Sequence, residues 1–296
     1  MDLLQLRYFQ TVARYEHVSR AAGELRVAQP ALSRTLARLE AELGVPLFNR
    51  QGRRLALNRF GAAFLARVNR ALNELDQARR ELDDAVGLVH GSVAVAAETL
   101  RVLTDLAAAF LAEHKEVSLR LNQLPAPAMS SQLQAGDVDL CLASQPVEGH
   151  GFQAVELFSE EVLLAVPPQH RLAGRKSVGI EELATEPFVT PRPGYWQRTL
   201  IDQLLRRAGM PLTIACEGHE PAAIRGLISA GVGVGLLPAI ARRVATHPPV
   251  GWLHLRAAEC RRTLRVVWRE DAYLSAAARC FLDFAVKHFR QQPVDG

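Results

Sequence analysis

A chain of 296 residues, 49% of them hydrophobic, is long enough for two or three domains, each with a core of its own. Its formal charge of +4 is localised: residues 1–58 hold nine Arg against five acidic residues, residues 59–90 hold five of each sign, and residues 91–296 hold 21 of each. This excludes a uniformly basic or acidic chain and assigns any contact with a polyanion to the N-terminal segment.

Leu3, Leu6, Phe9 and Ala13 share one face of a first helix, which is expected to pack beneath the elements that follow. Residues 18–40, VSRAAGELRVAQPALSRTLARLE, read as two short helices joined by a turn. Ser19 is placed to cap the first, which runs through Ala21, Ala22 and Leu25. Residues 26–28 have the length of turn that a helix-turn-helix uses. In the second helix Leu32, Leu36, Leu39 and Leu43 fall within about 60° of one another on a helical wheel, and Pro30, Ser33, Arg34, Ala37 and Arg38 face the other way. A rod that buries one narrow apolar stripe and presents guanidiniums and small residues suits entry into a DNA groove. Pro30 fits a first helical turn because the amide it lacks has no intrahelical partner there.

Residues 45–58 read as a short hairpin, with Arg53 and Arg54 near its tip ahead of the alternating Leu55 and Leu57. Two adjacent guanidiniums suit phosphate or minor-groove contact; a solvated surface pair is the plain alternative. From about residue 61 to 86 the pattern is one long helix, with Leu65, Val68, Leu72, Leu75, Leu82 and Val86 recurring in steps of three and four, and Arg79 interrupting a position that Ala78 can fill. Such a seam predicts pairing with a second copy of the helix; packing on its own C-terminal domain is the alternative.

The order AAxxL, QPALS, LExxLG and LFxR over residues 1–60 resembles the N-terminal domain of the LysR-type transcriptional regulators. Two positions depart from that pattern. Ala28 stands where Ser or Thr commonly precedes the Gln-Pro pair and cannot cap, so the start of the second helix is expected to rely on Gln29. Asn58 stands where Thr is common and can still cap. The resemblance implies an α-rich winged helix-turn-helix over residues 1–60, a linker and dimerisation helix over 61–90, and a two-lobed α/β effector domain over 91–296 similar to periplasmic binding proteins. Gln29, Pro30, Ser33, Arg34 and Arg38 are then expected at bases or phosphates, with Arg53 and Arg54 on the flanking backbone.

Residues 87–91 read as a hinge, and beyond it strand-like runs at 93–97, 117–124 and 138–143 alternate with helical ones. This predicts βαβ units and a mostly parallel sheet. A second set at 161–168, 187–190, 212–217 and 232–238 predicts another lobe, with the last strand and helix returning to the first: lobe I over about 91–162 and 266–296, lobe II over about 163–265. Open α/β sheets bind ligands at the carboxyl ends of their strands. AVPPQHRLAG and ISAGVGVGLLP extend the resemblance here. By position it points to an effector held by Glu98, Thr99 and Leu100, by Pro125, Ala126 and Met129, by Pro191, Arg192, Tyr195 and Trp196, and by Gly218, His219 and Glu220. Exposed helix amides and Arg192 suit a carboxylate, whereas Glu98 suits an amine and hence an amino-acid-like ligand. Each position also has a plain reading: Thr99 as a helix cap, residues 192–196 as a surface turn, and His219 as a solvated histidine.

No GxSxG, HExxH or P-loop is present, and GVGVG at 231–235 is followed by Leu236, Leu237 and Pro238 rather than a helix, so neither an enzyme nor a cofactor is expected. Cys141, Cys216, Cys260 and Cys280 form no CxxC or Cys/His pair and read as reduced thiols, mostly buried. The chain opens on an amphipathic helix rather than a secretory signal, and no apolar run reaches the ~18 residues of a membrane span. A cytoplasmic protein without a membrane partner is expected. A solute-binding protein leaves the N-terminal segment without a role, and an architectural DNA binder leaves the two lobes without one. A ligand-responsive regulator uses both, with double-stranded promoter DNA, a small organic effector and further copies of itself, as dimer or tetramer, as partners and RNA polymerase as a further candidate.

Overall fold

A computed structural model describes residues 1–51, 54–85, 91–218, 220–243 and 247–291. The chain falls into two units: Met1–Leu88 with Gln134–Asp137, and Val89–Leu133 with Val138–Gly296.

In the first unit, α1 (Leu3–Tyr15) opens on a capping box in which Asp2 Oδ1 accepts from Gln5 N at 2.8 Å and Gln5 Oε1 accepts from Asp2 N at 2.9 Å. Leu6, Phe9, Val12 and Ala13 are buried, whereas Leu3, expected on the same face, is 50% exposed. Glu16 takes a left-handed conformation and ends α1, which leaves His17 extended and lets α2 (Val18–Leu25) begin at once. Ser19 therefore lies inside α2 and does not cap it, contrary to expectation; His17 occupies the cap position without a side-chain bond. Arg26, also left-handed, turns the chain into α3 (Gln29–Leu43), whose cap position, Ala28, makes no side-chain bond.

The hairpin forms as β1 (Phe48–Gln51) and β2 (Arg54–Leu57), paired antiparallel from Phe48 opposite Leu57. Asn58 starts α4 (Arg59–Ala85): its Oδ1 accepts from Phe60 N and Gly61 N, each at 2.9 Å. Gly61 is required there, since a Cβ would lie 2.1 Å from the Leu47 carbonyl oxygen. The core is centred on Phe9, whose ring meets Phe48 at 5.5 Å and Phe64 at 5.3 Å. The apolar stripe of α4 is divided: Val68 and Leu72 are buried in this core, while Leu75 and Leu82 are 43% and 66% exposed. The first half of the seam thus packs on its own helix-turn-helix; Val86, the last expected position, lies outside the described residues.

The second unit runs β3 (Gly91–Ala97), α5 (Arg101–Glu113), β4 (Val117–Gln123), α6 (Ala126–Ala135), β5 (Leu140–Ala143) and β6 (Phe152–Val166). It continues through β7 (Ser177–Val178), β8 (Phe188–Pro191), α7 (Trp196–Arg207), β9 (Ile214–Gly218), α8 (Pro221–Ser229), β10 (Gly235–Pro238), β11 (Gly251–Leu255), β12 (Arg261–Arg269) and α9 (Ala276–Gln291). One sheet takes the order β4-β3-β5-β12-β6-β11-β7 with β10 also on β6, and β8 and β9 form a separate parallel pair. The expected parallel pairs are present, β3 with β4 and with β5, and β8 with β9. The sheet is mixed rather than mostly parallel, because β6 and β12 run antiparallel to each other. These are the strands that cross between lobes, and a chain that goes out and comes back must reverse direction. β6 pairs with β12 along its first part and with β10 and β11 along its second, so it belongs to both lobes. The expected run at 161–168 is the second part of β6, which begins earlier, at Phe152. Each lobe has its own core, one including Val95, Leu106, Phe110 and Phe281, the other Phe188, Ile201, Leu205 and Leu253.

Candidate functional sites: a helix face and a cleft between lobes

α3 owes its bare outer face to sequence spacing. Leu32, Leu36 and Leu39 are drawn into the core, so Gln29, Pro30, Arg34, Ala37 and Arg38 are left exposed and Ser33 half-buried. Arg34 and Arg38 have no ion-pair partner among the described residues. On other helices guanidiniums are engaged, Arg7 with Asp76 at 3.1 Å and Arg14 with Glu24 at 3.5 Å. Unpaired, hydrated guanidiniums on one face are available to phosphates and base edges without first breaking a bond. The hairpin is tied to α3 by Glu40, whose Oε1 accepts from Leu47 N at 2.7 Å and Phe48 N at 3.3 Å. The sequence reading passed over this carboxylate, although an acid on the inward edge of α3 just before the LFxR motif is a usable signal. Arg54 lies in β2 opposite Gln51; Arg53 lies outside the described residues.

In the second unit a cavity of about 270 Å³ opens between the lobes. The segment leaving β3 lines it from lobe I with Thr99, Leu100, Arg101 and Val102, and the start of α8 lines it from lobe II with Glu220, Pro221, Ala222 and Arg225. Two helix N-termini thus converge, each with free amides and partial positive charge. Thr99 Oγ1 accepts from Arg101 N at 3.4 Å, but the cap position of α5 is Leu100 and carries no side-chain bond. Behind them, Arg262 of β12 contributes a guanidinium that is only 3% exposed. Its Nη2 lies 2.8 Å from Oε1 of Glu160 on β6, and its plane sits 5.1 Å over the Trp196 ring and 5.9 Å over Phe158. Burial lowers the Arg262 pKa, and the charges of Glu160 and Glu98 oppose that shift. Among the described residues Arg262 Nε, Nη1 and Nη2 and Glu160 Oε1 all lack a well-directed hydrogen bond, so the 2.8 Å approach of Nη2 to Oε1 is a contact of charges. Arg225 donates through Nη1 to Ala241 O at 3.3 Å, while its buried Nε has no partner. Its pKa is lowered by burial and, secondarily, by the Arg101 charge.

A polar clasp joins the lobes beside this cavity. Glu98 Oε2 accepts from Ser144 N at 2.6 Å and its Oε1 from Gln145 Nε2 at 3.0 Å. Gln145 Nε2 also donates to Gly194 O at 3.1 Å, and Thr199 Oγ1 donates to Gln145 Oε1 at 2.7 Å. Burial raises the Glu98 pKa, against the opposing bonds from Gln145 and Ser144 and the charge of Arg262.

Of the positions expected at an effector, the structure places Thr99, Leu100 and Glu220 on the cavity wall. Glu98 lies in the clasp, with both oxygens engaged, and Trp196 stands behind the wall beneath Arg262. Pro125 and Ala126 sit where the lobes meet: Ala126 N donates to Gly194 O at 3.3 Å. Met129 is fully buried in the lobe I core, Arg192 is exposed, and Tyr195 caps α7 half-buried; none of the three lines the cavity. His219 lies outside the described residues. Arg101, Arg225 and Arg262 were missed. For Arg262 a signal existed: it shares the two-residue phase of Leu264 and Val266, both inward-facing. Among the described residues no cluster of His, Cys, Asp and Glu could hold a metal, and no helix is long and apolar enough to cross a membrane.

A family model described as a bacterial regulatory helix-turn-helix protein of the lysR family matches residues 3–62, and one described as the LysR substrate binding domain matches residues 87–290. The uncharacterized HTH-type transcriptional regulator YybE of Bacillus subtilis is 36% identical over 98% of this chain and 100% of its own length. The transcriptional dual regulator GltC of the same organism is 33% identical over 98% of each chain. Among solved structures, full-length CbnR complexed with target DNA aligns with a TM-score of 0.72 at 23% identity, covering 98% of this chain and 100% of that one.

Proposed function

The chain belongs to the LysR family of DNA-binding transcriptional regulators, and from that premise we propose that it grips promoter DNA as a homo-oligomer and alters that grip when a small carboxylate or amino-acid-like effector enters the cleft. The observation that carries this is the outer face of α3, where Arg34 and Arg38 stand exposed and unpaired on a module that holds the whole net charge of the chain. Arg34, with Gln29, Pro30, Ser33 and Arg38, approaches bases and phosphates, and Arg53 and Arg54 hold the flanking backbone. Paired half-sites need paired modules, and the exposed Leu75 and Leu82 of α4 supply an apolar seam for a second copy. Effector binding shifts an existing equilibrium between lobe arrangements, and with it the spacing of recognition helices and the DNA bend that RNA polymerase meets.

The test compares affinity for the gene's own upstream region with affinity for random duplex, at physiological ionic strength, with and without a compound that raises the melting temperature of the protein. A strong preference for its own region, altered by that compound, is expected. Equal affinity for both duplexes under all conditions refutes the proposal. Arg53→Ala is expected to weaken all duplexes alike and to reduce the salt slope by about one.

A further inference from the structure

Among the described residues, hydrogen bonds fasten the β1–β2 hairpin to the rest of its unit at three places. Leu55 N donates to Glu16 O at 3.0 Å, where α1 gives way to α2. Asn58, at the start of α4, donates through Nδ2 to Pro46 O at 2.7 Å and through its own amide to Leu47 O at 3.0 Å. The third fastening is the Glu40 carboxylate, which receives the Leu47 and Phe48 amides and is the one that reaches α3 itself. Glu40 lies in the last turn of α3, where an acid faces the negative end of the helix dipole. It has no ion-pair partner among the described residues, and its charge is repelled by the phosphates that α3 is read to meet. Neither helix stability nor charge pairing nor DNA attraction accounts for it. What Glu40 does is hold two consecutive amides at the root of the hairpin, about 9 Å along the helix axis from Arg34 at ~1.5 Å per residue.

We propose that Glu40 is a positioning residue for DNA binding: by gripping the Leu47 and Phe48 amides it fixes the hairpin to the recognition helix, so that the hairpin reaches the flanking phosphates when α3 lies in the groove. This rests on the DNA reading above and adds to it a residue that acts through the hairpin rather than on DNA. The physical reason is spacing. Arg34 and Arg38 ride on a helix, whereas Arg54 rides on a ribbon of two four-residue strands. A two-stranded hairpin is at best marginally stable by itself, so the distance between its contacts and those of α3 is only as fixed as the joint between them. A carboxylate suits that joint because its bonds to backbone amides are charge-assisted. Holding the hairpin in place before DNA arrives also removes the entropic cost of ordering it on binding.

The experiment uses the full-length protein with Glu40→Ala, Glu40→Gln, Arg54→Ala and the double replacement Glu40→Ala with Arg54→Ala. Affinity for the gene's own upstream region is measured across a range of salt concentrations, and hydrogen exchange is followed in the DNA-free protein. Glu40→Ala is expected to weaken binding about tenfold, which is ~1.4 kcal/mol. It should also reduce the salt slope by about one, as Arg54→Ala does. On the Glu40→Ala background Arg54→Ala should then cost nothing further, since the hairpin is already out of place. Glu40→Gln, which keeps an oxygen for both amides, should largely restore affinity and slope. In the free protein Glu40→Ala should speed exchange across residues 46–58 and leave α1 protected. A carboxylate that merely stabilises the fold would lower protection throughout the unit and leave the salt slope and the cost of Arg54→Ala intact. The proposal is overturned if, per folded molecule, Glu40→Ala binds with the parent's affinity and slope, if Arg54→Ala costs the same on both backgrounds, or if exchange across residues 46–58 is unchanged. Should Glu40→Ala fail to fold, Glu40→Asp, which keeps the charge and loses one methylene of reach, takes its place with the same expected signs. A parent protein without preference for its own upstream region refutes the DNA reading and this role with it; a parent that keeps that preference beside any of the three overturning results removes this role alone.

Discussion

The two units use arginine in opposite ways. On α3 the guanidiniums are hydrated, unpaired and contributed by a single stretch of sequence, so they cost the fold nothing and wait for a partner outside the chain. In the cleft, Arg262 is enclosed against Glu160 and two aromatic rings, and the residues around it come from strands and helices scattered from Thr99 to Arg262. The lesson concerns where the energy resides. A surface cation is spent on binding, while a buried one is committed to the structure before any ligand arrives.

The largest expected effect would break this contrast if it failed. Arg262→Met leaves Glu160 charged and fully enclosed and should cost roughly 3–5 kcal/mol in denaturant unfolding. Combining it with Glu160→Gln should recover much of that loss, because no lone buried charge then remains. A cost under ~1 kcal/mol would put the pair in the class of surface bridges. Next in size, Arg34→Ala should lose ~1–3 kcal/mol of operator affinity and some base discrimination while the melting temperature stays put; unaltered operator affinity would remove Arg34 from the interface. Smaller again, Asn58→Ala deletes the cap of α4 and should lower the stability of the first unit by ~1 kcal/mol, with Asn58→Ser largely restoring it.

The smallest effect is a pH dependence. Burial raises the Glu98 pKa above its ordinary 4.5. The folded protein therefore holds this proton more tightly than the unfolded chain does. The stability it contributes is complete below pH 4.5 and is lost as pH rises through the folded value. Glu182 behaves oppositely: Arg175, then the Gly179 amide, lowers its pKa to about 2, so its contribution is present above the ordinary value and lost as pH falls towards 2. Glu98→Gln should flatten the acid side of the stability profile above pH 4.5 and leave the Glu182 limb unchanged; a profile identical to the parent's would mean Glu98 titrates alike in folded and unfolded chains.

The same division between local and assembled explains what could be read from residue order. Leu32, Leu36 and Leu39 at helical spacing define both faces of α3, and Asn58 announces the start of α4, because each depends on neighbours a few residues away. Ser19 misled because the start of α2 is set by the left-handed Glu16 that ends α1, a backbone event with no composition cue. The strand runs of the lobes were visible, but the antiparallel sense of β6 and β12 was not, since it follows from the chain crossing twice between lobes. Arg262 was passed over in the sequence, and pairing of β12 with β6 is what sets it beside Glu160. Arg101 and Arg225 share a cavity although 124 positions separate their numbers, beyond the reach of any periodicity.

Gln145 gives the lobes a detent. Its single amide group accepts from Thr199 and donates to both Glu98 and Gly194, so it fastens one lobe to the other by both of its ends. A rotation of a few degrees cannot stretch the two bonds that cross to Gly194 and Thr199 gradually, because hydrogen bonds weaken steeply once distance and angle leave a narrow range. Separating the lobes therefore means losing both contacts together, and one glutamine side chain holds the lobes at this spacing.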